Sequence, residues 1–374
     1  MTDLVVVSLE RWDDVWRRNQ YLVDGLLRND PDLRVLFVEP PSDPLHDARS
    51  RRRPERGHRS RPVGETGRLW SWRPTKWLPR RIDAGFDDRF ILGIQDAAGE
   101  LGFRDPALWV NDPRLAGVMV ATGWPTLYDI TDDWATADRP AAERGRIVEG
   151  EALLLAHADE VVACSSELER RKAPQRPSQR HPIVVIRNAV DVEDYQRPRP
   201  RPALLPAGRT AVYAGTLHQD RLDVDLVLST AEALAGEVSI VLVGPNALGR
   251  DATERLRTTG VSMPGAQPRD VLIGSLQHAD VLIVPHLVNA FTDSLDPIKL
   301  YEYLAVGRPI VSTPVAGFRD AVRCIGPTGY PAAVSATART ERLSLRPGPT
   351  PDDWSSRVTD VHDVLRRLPR ERGA

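Results

Sequence analysis

Short apolar runs alternate with helical periodicities along this chain. Residues 4–9, Leu-Val-Val-Val-Ser-Leu, predict a buried strand. A helix follows with Val15, Trp16, Leu22, Leu26 and Leu27 as its apolar positions, and residues 34–38 predict a second strand. Strand, helix, strand at this spacing means a parallel sheet. The pattern resumes with a helix through residues 90–94, a strand at 107–110 ending in Asn111 and Asp112, and a strand at 125–134 running out into aspartates. A helix around 153–156 leads into residues 158–168, and an apolar run at 183–186 follows. The second half then starts over. A strand at 210–214 meets Gly215, a helix begins at Asp223, and strands at 239–244 and 281–285 flank a helix at 272–280. The strand at 310–312 and a helix from Trp354 through Leu365 complete the set.

The stretch 293–307 has both helix ends written into it. Asp296 is a good N-cap, Pro297 suits the first helical position, and Gly307 is the expected left-handed stop. Lys299 stands in the first turn, where a cation opposes the helix macrodipole unless an anion sits above the N-terminus. Free backbone N–H groups plus a lysine make a phosphate seat. Glu302, three residues on, shares a face with Lys299 and can accept both hydroxyls of a ribose. The competing reading is an intrahelical Lys–Glu surface pair. The chain uses arginine almost everywhere and has only three lysines, Lys76, Lys172 and Lys299, which favours a ligand.

Composition narrows the class. A length of 374 residues suggests two domains, because single cores rarely grow beyond roughly 250–300 residues. A formal net charge of −2 gives no electrostatic case for nucleic acid. Two cysteines, Cys164 and Cys324, imply no disulfide framework and fit a reducing cytoplasm. Met1 leads straight into a strand without a signal-peptide pattern, and no apolar run approaches the roughly 20 residues of a membrane span. A cytoplasmic protein is expected. No G-x-G-x-x-G follows the first strand, so no dinucleotide cofactor is expected. Nor is a metal, since the second half lacks a paired-carboxylate or His/Cys ligand set.

Three stretches carry further candidate chemistry. The loop Glu10-Arg11-Trp12-Asp13-Asp14 follows the first strand, at the sheet edge where parallel α/β folds hold ligands. Trp12, Arg17, Arg18 and Gln20 are therefore acceptor-side candidates, with surface and core roles as the alternative. Residues 42–80 break the pattern. Arg49, Arg51, Arg52, Arg53, Arg56, Arg59 and Arg61 crowd together, and Trp70, Trp72 and Trp77 follow. Such a segment suits peripheral contact with anionic lipid on the inner face of a membrane, or a solvated loop. Asp129, Asp132 and Asp133 cluster at a strand end, more carboxylates than capping a helix requires. Arg197 through Pro202 alternates arginine and proline and reads as a stiff linker.

Residues 297–309, Pro-Ile-Lys-Leu-Tyr-Glu-Tyr-Leu-Ala-Val-Gly-Arg-Pro, resemble the donor-site helix of glycosyltransferase family 4. The resemblance implies a GT-B fold: an α/β protein with two Rossmann-like domains facing across a cleft and a C-terminal helix crossing back to the first. The domains would be 1–195, completed by helix 352–368, and 203–348. Residues 158–168 resemble the family's last N-domain strand and serine-capped helix. Residues 183–191 resemble its asparagine–glycine–valine–aspartate segment, with Ala189 in the glycine's place. Residues 264–268 are similar to its base-side loop. Glu302 matches the second of two family glutamates, the ribose ligand, while the first falls on Ser294. Gly215 matches the donor-binding glycine turn. Thr216 replaces the arginine that usually follows, and Arg221 lies near the usual lysine, which leaves Lys299 and Arg221 as the cationic pair. His286 ends a strand at the ligand edge, as a donor contact or a capped structural histidine. Asp129, Asp132 and Asp133 would orient the donor sugar or acceptor hydroxyl, with Asp132 the best single choice. The implied reaction moves a sugar from a nucleotide-diphosphate donor to a hydroxyl of a glycan, glycolipid or small molecule. It proceeds with retention and without a cofactor, in envelope polysaccharide or glycolipid assembly. A nucleotide-sugar epimerase of the same fold and a non-catalytic partner subunit are the alternatives.

Overall fold

Two sheets organise the chain, one in each of two units. The structure is a computed structural model and describes residues 3–13, 15–49, 53–137, 139–322, 324–340 and 351–369. The first unit is Met1–Ala135, Arg139–Arg187 and Trp354–Ala374, and the second is Thr136–Asp138 and Asn188–Asp353.

In the first unit β1 (Asp3–Val7), β2 (Arg34–Val38), β3 (His58–Pro62), β4 (Leu69–Arg73), β5 (Ala107–Val110), β6 (Thr126–Ile130), β7 (Glu160–Ala163) and β8 (Val184–Val185) form one sheet. Their order is β3-β4-β2-β1-β5-β6-β7-β8. Every pairing is parallel except that of β3 with β4. Helices α1 (Arg18–Asn29), α2 (Pro44–Arg49), α3 (Phe86–Glu100), α4 (Gly117–Thr122), α5 (Ala141–His157) and α6 (Ser166–Lys172) connect the strands. The central strand β1 is buried at every residue, as its uninterrupted apolar run demands of a sheet covered on both faces. Ser165 caps α6 by accepting from the Leu168 N–H at 3.1 Å.

Two expectations for this unit fail. Helix α1 starts at Arg18, so Val15 and Trp16 belong to the preceding loop; Trp16 packs against Trp12 and Tyr21 instead. Residues 42–80 are not a loop outside the pattern. They contain α2 and the edge pair β3–β4, and Leu69, Ser71 and Arg73 face inward while Trp70 and Trp72 alternate with them. Trp70 packs edge-on against Phe103 and Trp72 lies tilted against Phe90, so both, partly buried, support the core. Arg59 and Arg61 lie on β3, where charge blunts a sheet edge. Arg51, Arg52 and Asp14 lie outside the described residues.

The second unit repeats the scheme with β9 (Arg209–Ala214), β10 (Val238–Val243), β11 (Ser262–Gly265), β12 (Val281–Val284) and β13 (Ile310–Ser312), all parallel in the order β11-β10-β9-β12-β13. Its helices are α7 (Val192–Gln196), α8 (Val224–Ala233), α9 (Arg250–Thr258), α10 (Arg269–Gln277), α11 (Ile298–Val306), α12 (Phe318–Ala321) and α13 (Tyr330–Arg339). The Arg197–Pro202 run is laid against α10 rather than left free. The Arg199 N–H donates to Gln277 Oε1, and Gly274 lies against the Pro200 carbonyl.

The last helix, α14 (Trp354–Arg366), rejoins the first unit. Trp354 stacks on Tyr21 of α1, ring centroids 4.9 Å apart, and Gly25 leaves room for Val358. Among the described residues, no helix is long and apolar enough to cross a membrane.

Candidate functional site

Helix α11 ends as its sequence dictates. Gly307 adopts φ 72°, and its N–H closes the helix onto the Tyr303 carbonyl at 3.0 Å. Its start differs from expectation. Pro297, not Asp296, occupies the N-cap, the helix beginning at Ile298. The Asp296 carboxylate is buried and accepts instead from the Asn188 N–H and from the Tyr301 hydroxyl at 2.8 Å. It joins the segment after β8 to α11. Ser294 lies buried in the turn before this helix, and its hydroxyl donates to the Phe291 carbonyl at 2.8 Å. Asp293 pairs with Arg319.

Three strands of the second sheet end in glycines with positive φ: Gly215 after β9 at 137°, Gly244 after β10 at 145°, and Gly265 in β11 at 81°. The Gly215 N–H donates to the Val243 carbonyl at 2.9 Å, and the Gly244 N–H to the Gly265 carbonyl at 3.0 Å. A Cβ on Gly244 would collide with the Gly215 carbonyl, and one on Gly215 would stand 3.0 Å from Lys299 Nζ. Only glycine satisfies both the dihedrals and the closeness. Thr216 follows half-buried.

Against this edge α11 presents Lys299. Its Nζ donates to the Tyr213 hydroxyl at 2.6 Å, lies 3.2 Å from His286 Nε2, and sits 4.0 Å from the centre of the Tyr213 ring. Tyr213 Oη and His286 Nε2 are themselves 3.1 Å apart. Tyr213 is the last residue but one of β9 and His286 follows β12, so adjacent strands deliver both to one point. Burial and then the charge of Arg221 bring the Lys299 ammonium down to about 7, with Glu302 opposing. Burial, then Lys299 and Arg221, hold His286 well below its ordinary value, so it is neutral. Burial raises the Tyr213 phenol. Arg221 stacks its guanidinium over Phe291 at 5.0 Å. The arrangement is a partly desolvated cationic seat that an anion would complete.

Glu302 does not pair with Lys299, which removes the surface-pair reading. Its Oε1 accepts from the Tyr195 hydroxyl at 2.5 Å, and Arg269 stacks over the Tyr195 ring at 5.3 Å. Burial raises the Glu302 carboxyl, while Tyr195, Arg269 and Lys299 oppose that rise.

The aspartates of the first unit separate. Asp129 is buried and forms two bonds with Arg18 at 3.1 and 3.2 Å, while Asn111 Nδ2 donates to its Oδ2 at 3.2 Å. Asp133 is buried too and accepts from Lys172 at 2.7 Å and Arg171 at 3.1 Å, with Glu151 taking a second bond from Lys172 at 2.7 Å. Both carboxylates are thus spent on internal ion pairs. Asp132 is partly exposed. None of the three caps α5, whose N-cap is Pro140.

The acceptor-side candidates are similarly absorbed. Arg18 is spent on Asp129, Arg17 lies 3.6 Å from Glu10, and Gln20 caps α1 by accepting from the Arg17 N–H at 3.0 Å. Trp12 packs edge-on against Phe37 at 5.1 Å. Sequence reading missed Tyr213 and Tyr195, which position Lys299 and Glu302. Each looks like an ordinary apolar residue of its own element, and only the fold brings its hydroxyl to α11.

Comparison with known proteins bears on the fold. Residues 208–342 match the family described as glycosyl transferases group 1. A Bacillus subtilis (strain 168) protein bearing the name teichuronic acid biosynthesis glycosyltransferase TuaH is 23% identical over 218 residues, and that match spans 55% of either chain. Among solved structures, sucrose-phosphate synthase from Thermosynechococcus elongatus superposes with a TM-score of 0.69 at 15% identity, covering 98% of this chain and 99% of that one. Anabaena HepE, solved in complex with UDP and glucose, gives 0.68 at 11% identity, covering 98% and 100%.

Proposed function

We propose that this chain, a GT-B protein similar to the glycosyl transferases of group 1, moves a sugar from a nucleotide-diphosphate donor to a hydroxyl acceptor. The observation that carries the reading is Lys299, held by Tyr213 and His286 beside the Gly215 turn, with Glu302 three residues further along α11. A cation at strand ends and a carboxylate one turn away suit a diphosphate joined to a ribose.

In this reading Lys299 and Arg221 stabilise the leaving diphosphate, and the Gly215–Thr216 backbone approaches it closely. Glu302 accepts the ribose hydroxyls through Oε2 while Tyr195 holds Oε1. The transfer retains configuration. The bond from anomeric carbon to diphosphate breaks, the acceptor oxygen bonds to that carbon on the same face, and the acceptor's proton passes to a diphosphate oxygen. Asp132 orients the acceptor hydroxyl or the donor sugar. The name of the Bacillus subtilis relative supports an envelope polysaccharide as the product.

The proposed place of work is the inner face of the membrane. Trp77, Leu78 and Ile82 are exposed apolar residues of one loop, Arg56 stacks over Trp77, and that loop lines a cavity of about 220 Å³ with Phe86 and Phe90. An interfacial tryptophan flanked by cations suits an anionic lipid surface.

The Ser294 hydroxyl, donated to a backbone carbonyl, favours one second reading, a partner subunit that binds a nucleotide without transferring sugar. Mass spectrometry of the nucleotide sugar carried through purification, followed by turnover with and without hydroxyl acceptors, tests the proposal. Consumption of donor only with an acceptor present is the expected result. Isomerised donor would mean an epimerase, and a bound but unconsumed donor would mean the partner subunit.

A further inference from the structure

Three polar atoms from three parts of the second unit meet within 3.2 Å of one another: Tyr213 Oη, His286 Nε2 and Lys299 Nζ. Tyr213 and His286 are buried, at 1% and 3% exposure, so neither can swing away. The Gly215 backbone closes the third side, where no Cβ would fit without pressing on Nζ. Lys299 is therefore aimed by its surroundings rather than extended freely from its helix.

We propose that Tyr213 and His286 are positioning residues that present Lys299 to the donor's diphosphate, and that the diphosphate binds there together with a proton. The proposal rests on the donor reading given above.

The charges facing Lys299 make the second half follow from the first. From the loop after β9 come Arg221 and Asp220, from the end of β12 the neutral ring of His286, and from β9 the un-ionised phenol of Tyr213. On its own helix Glu302 is engaged with Tyr195. Among the described residues no carboxylate bonds to the ammonium, and burial with Arg221 brings it down to about 7. A diphosphate supplies the missing negative charge and restores the ammonium. The free seat sheds its proton as pH rises through about 7, and the occupied seat keeps it to higher pH. Donor affinity is thus level below that point. It falls above it, by at most about tenfold per pH unit.

Calorimetric titration of the full chain with the uridine, guanosine, adenosine, cytidine and thymidine diphosphates, in buffers of different ionisation enthalpy, reads the proton number directly. At pH 8 the wild type should take up close to one proton more than Lys299→Met, and at pH 6 almost none. Tyr213→Phe keeps the ring but removes the nearest acceptor of the ammonium, so its affinity should begin to fall at lower pH. His286→Gln, which retains an acceptor, should restore more of the wild-type profile than His286→Leu. Equal proton uptake in wild type and Lys299→Met overturns the proton coupling. A Tyr213→Phe protein with lowered thermal stability and an unmoved pH profile reduces Tyr213 to packing. Binding without proton linkage leaves the donor reading intact, whereas no binding across the panel overturns both.

Discussion

Tyr195 and Glu302 come from different helices, α7 and α11, yet the tyrosine hydroxyl reaches Oε1 of the carboxylate at 2.5 Å. That bond fixes the carboxylate and opposes the effect of burial on its ionisation. Glu302→Gln should weaken nucleoside diphosphate binding by about 1.5–3 kcal/mol, roughly ten- to a hundredfold. Tyr195→Phe should cost less and act through orientation. Because Glu302 titrates above the ordinary carboxylate range, binding should weaken earlier on acidification than a surface carboxylate predicts, and Tyr195→Phe should move that loss to still higher pH. Calorimetry that finds Glu302→Gln equal to wild type would make the residue structural.

Asp132 is partly exposed, whereas Asp129 and Asp133 are buried. Asp132→Asn should reduce turnover by roughly 10²–10⁴-fold if it handles a proton and less if it only positions. Nucleotide affinity should barely change, since Asp132 belongs to the first unit and the diphosphate seat to the second. Near-wild-type turnover would remove it from the mechanism.

Asp296 ties Asn188 to α11 from a buried position. Asp296→Ala removes the carboxylate that accepts from the Asn188 N–H and the Tyr301 hydroxyl, at a cost of about 1–3 kcal/mol. A thermal midpoint lower by a few degrees is expected, with Asp296→Asn intermediate. An unchanged midpoint would show that water replaces the carboxylate without loss.

Gly244 meets the Gly215 carbonyl where any side chain would collide, at a φ that L-residues avoid. Gly244→Ala should destabilise the second unit by about 3 kcal/mol or more and reduce nucleotide binding along with it. Gly236, also at positive φ but with open space around it, is the control: Gly236→Ala should cost about 1 kcal/mol and leave binding intact.

Membrane contact, if made by the loop at Trp77, has a composition dependence. Wild type should float with anionic liposomes and less so at high salt. Trp77→Ala with Ile82→Ala should abolish flotation, whereas Trp70→Ala should disturb folding first, because Trp70 supports the core. Flotation that survives the double substitution excludes this loop as the contact.

What the sequence disclosed follows the range of the forces involved. Residues 34–38 were readable as a strand because four consecutive apolar residues follow Arg34, and β2 has those bounds. The glycine stop of α11 was readable because a left-handed cap is a local demand. The β3–β4 pair was hidden because arginines occupy outward positions where an ordinary strand would show its alternation less ambiguously. The roles of the aspartates were hidden for another reason: Arg18 reaches Asp129 across 111 residues, and Lys172 reaches Asp133 across 39. The rarity of lysine singled out Lys299, but Tyr213, 86 residues earlier, carries no mark of its role.

Helix α14 has a consequence for the order in which the chain becomes whole. The first unit takes its final helix from residues synthesised after the entire second unit, so on the ribosome α1 waits with its Tyr21 and Gly25 face uncovered. The second unit is continuous through Asn188–Asp353 apart from Thr136–Asp138, which are made before it, and can close first. A chain truncated after Asp353 should therefore present a protease-resistant second half beside a first half still open to chaperones. Docking of α14 is what seals it.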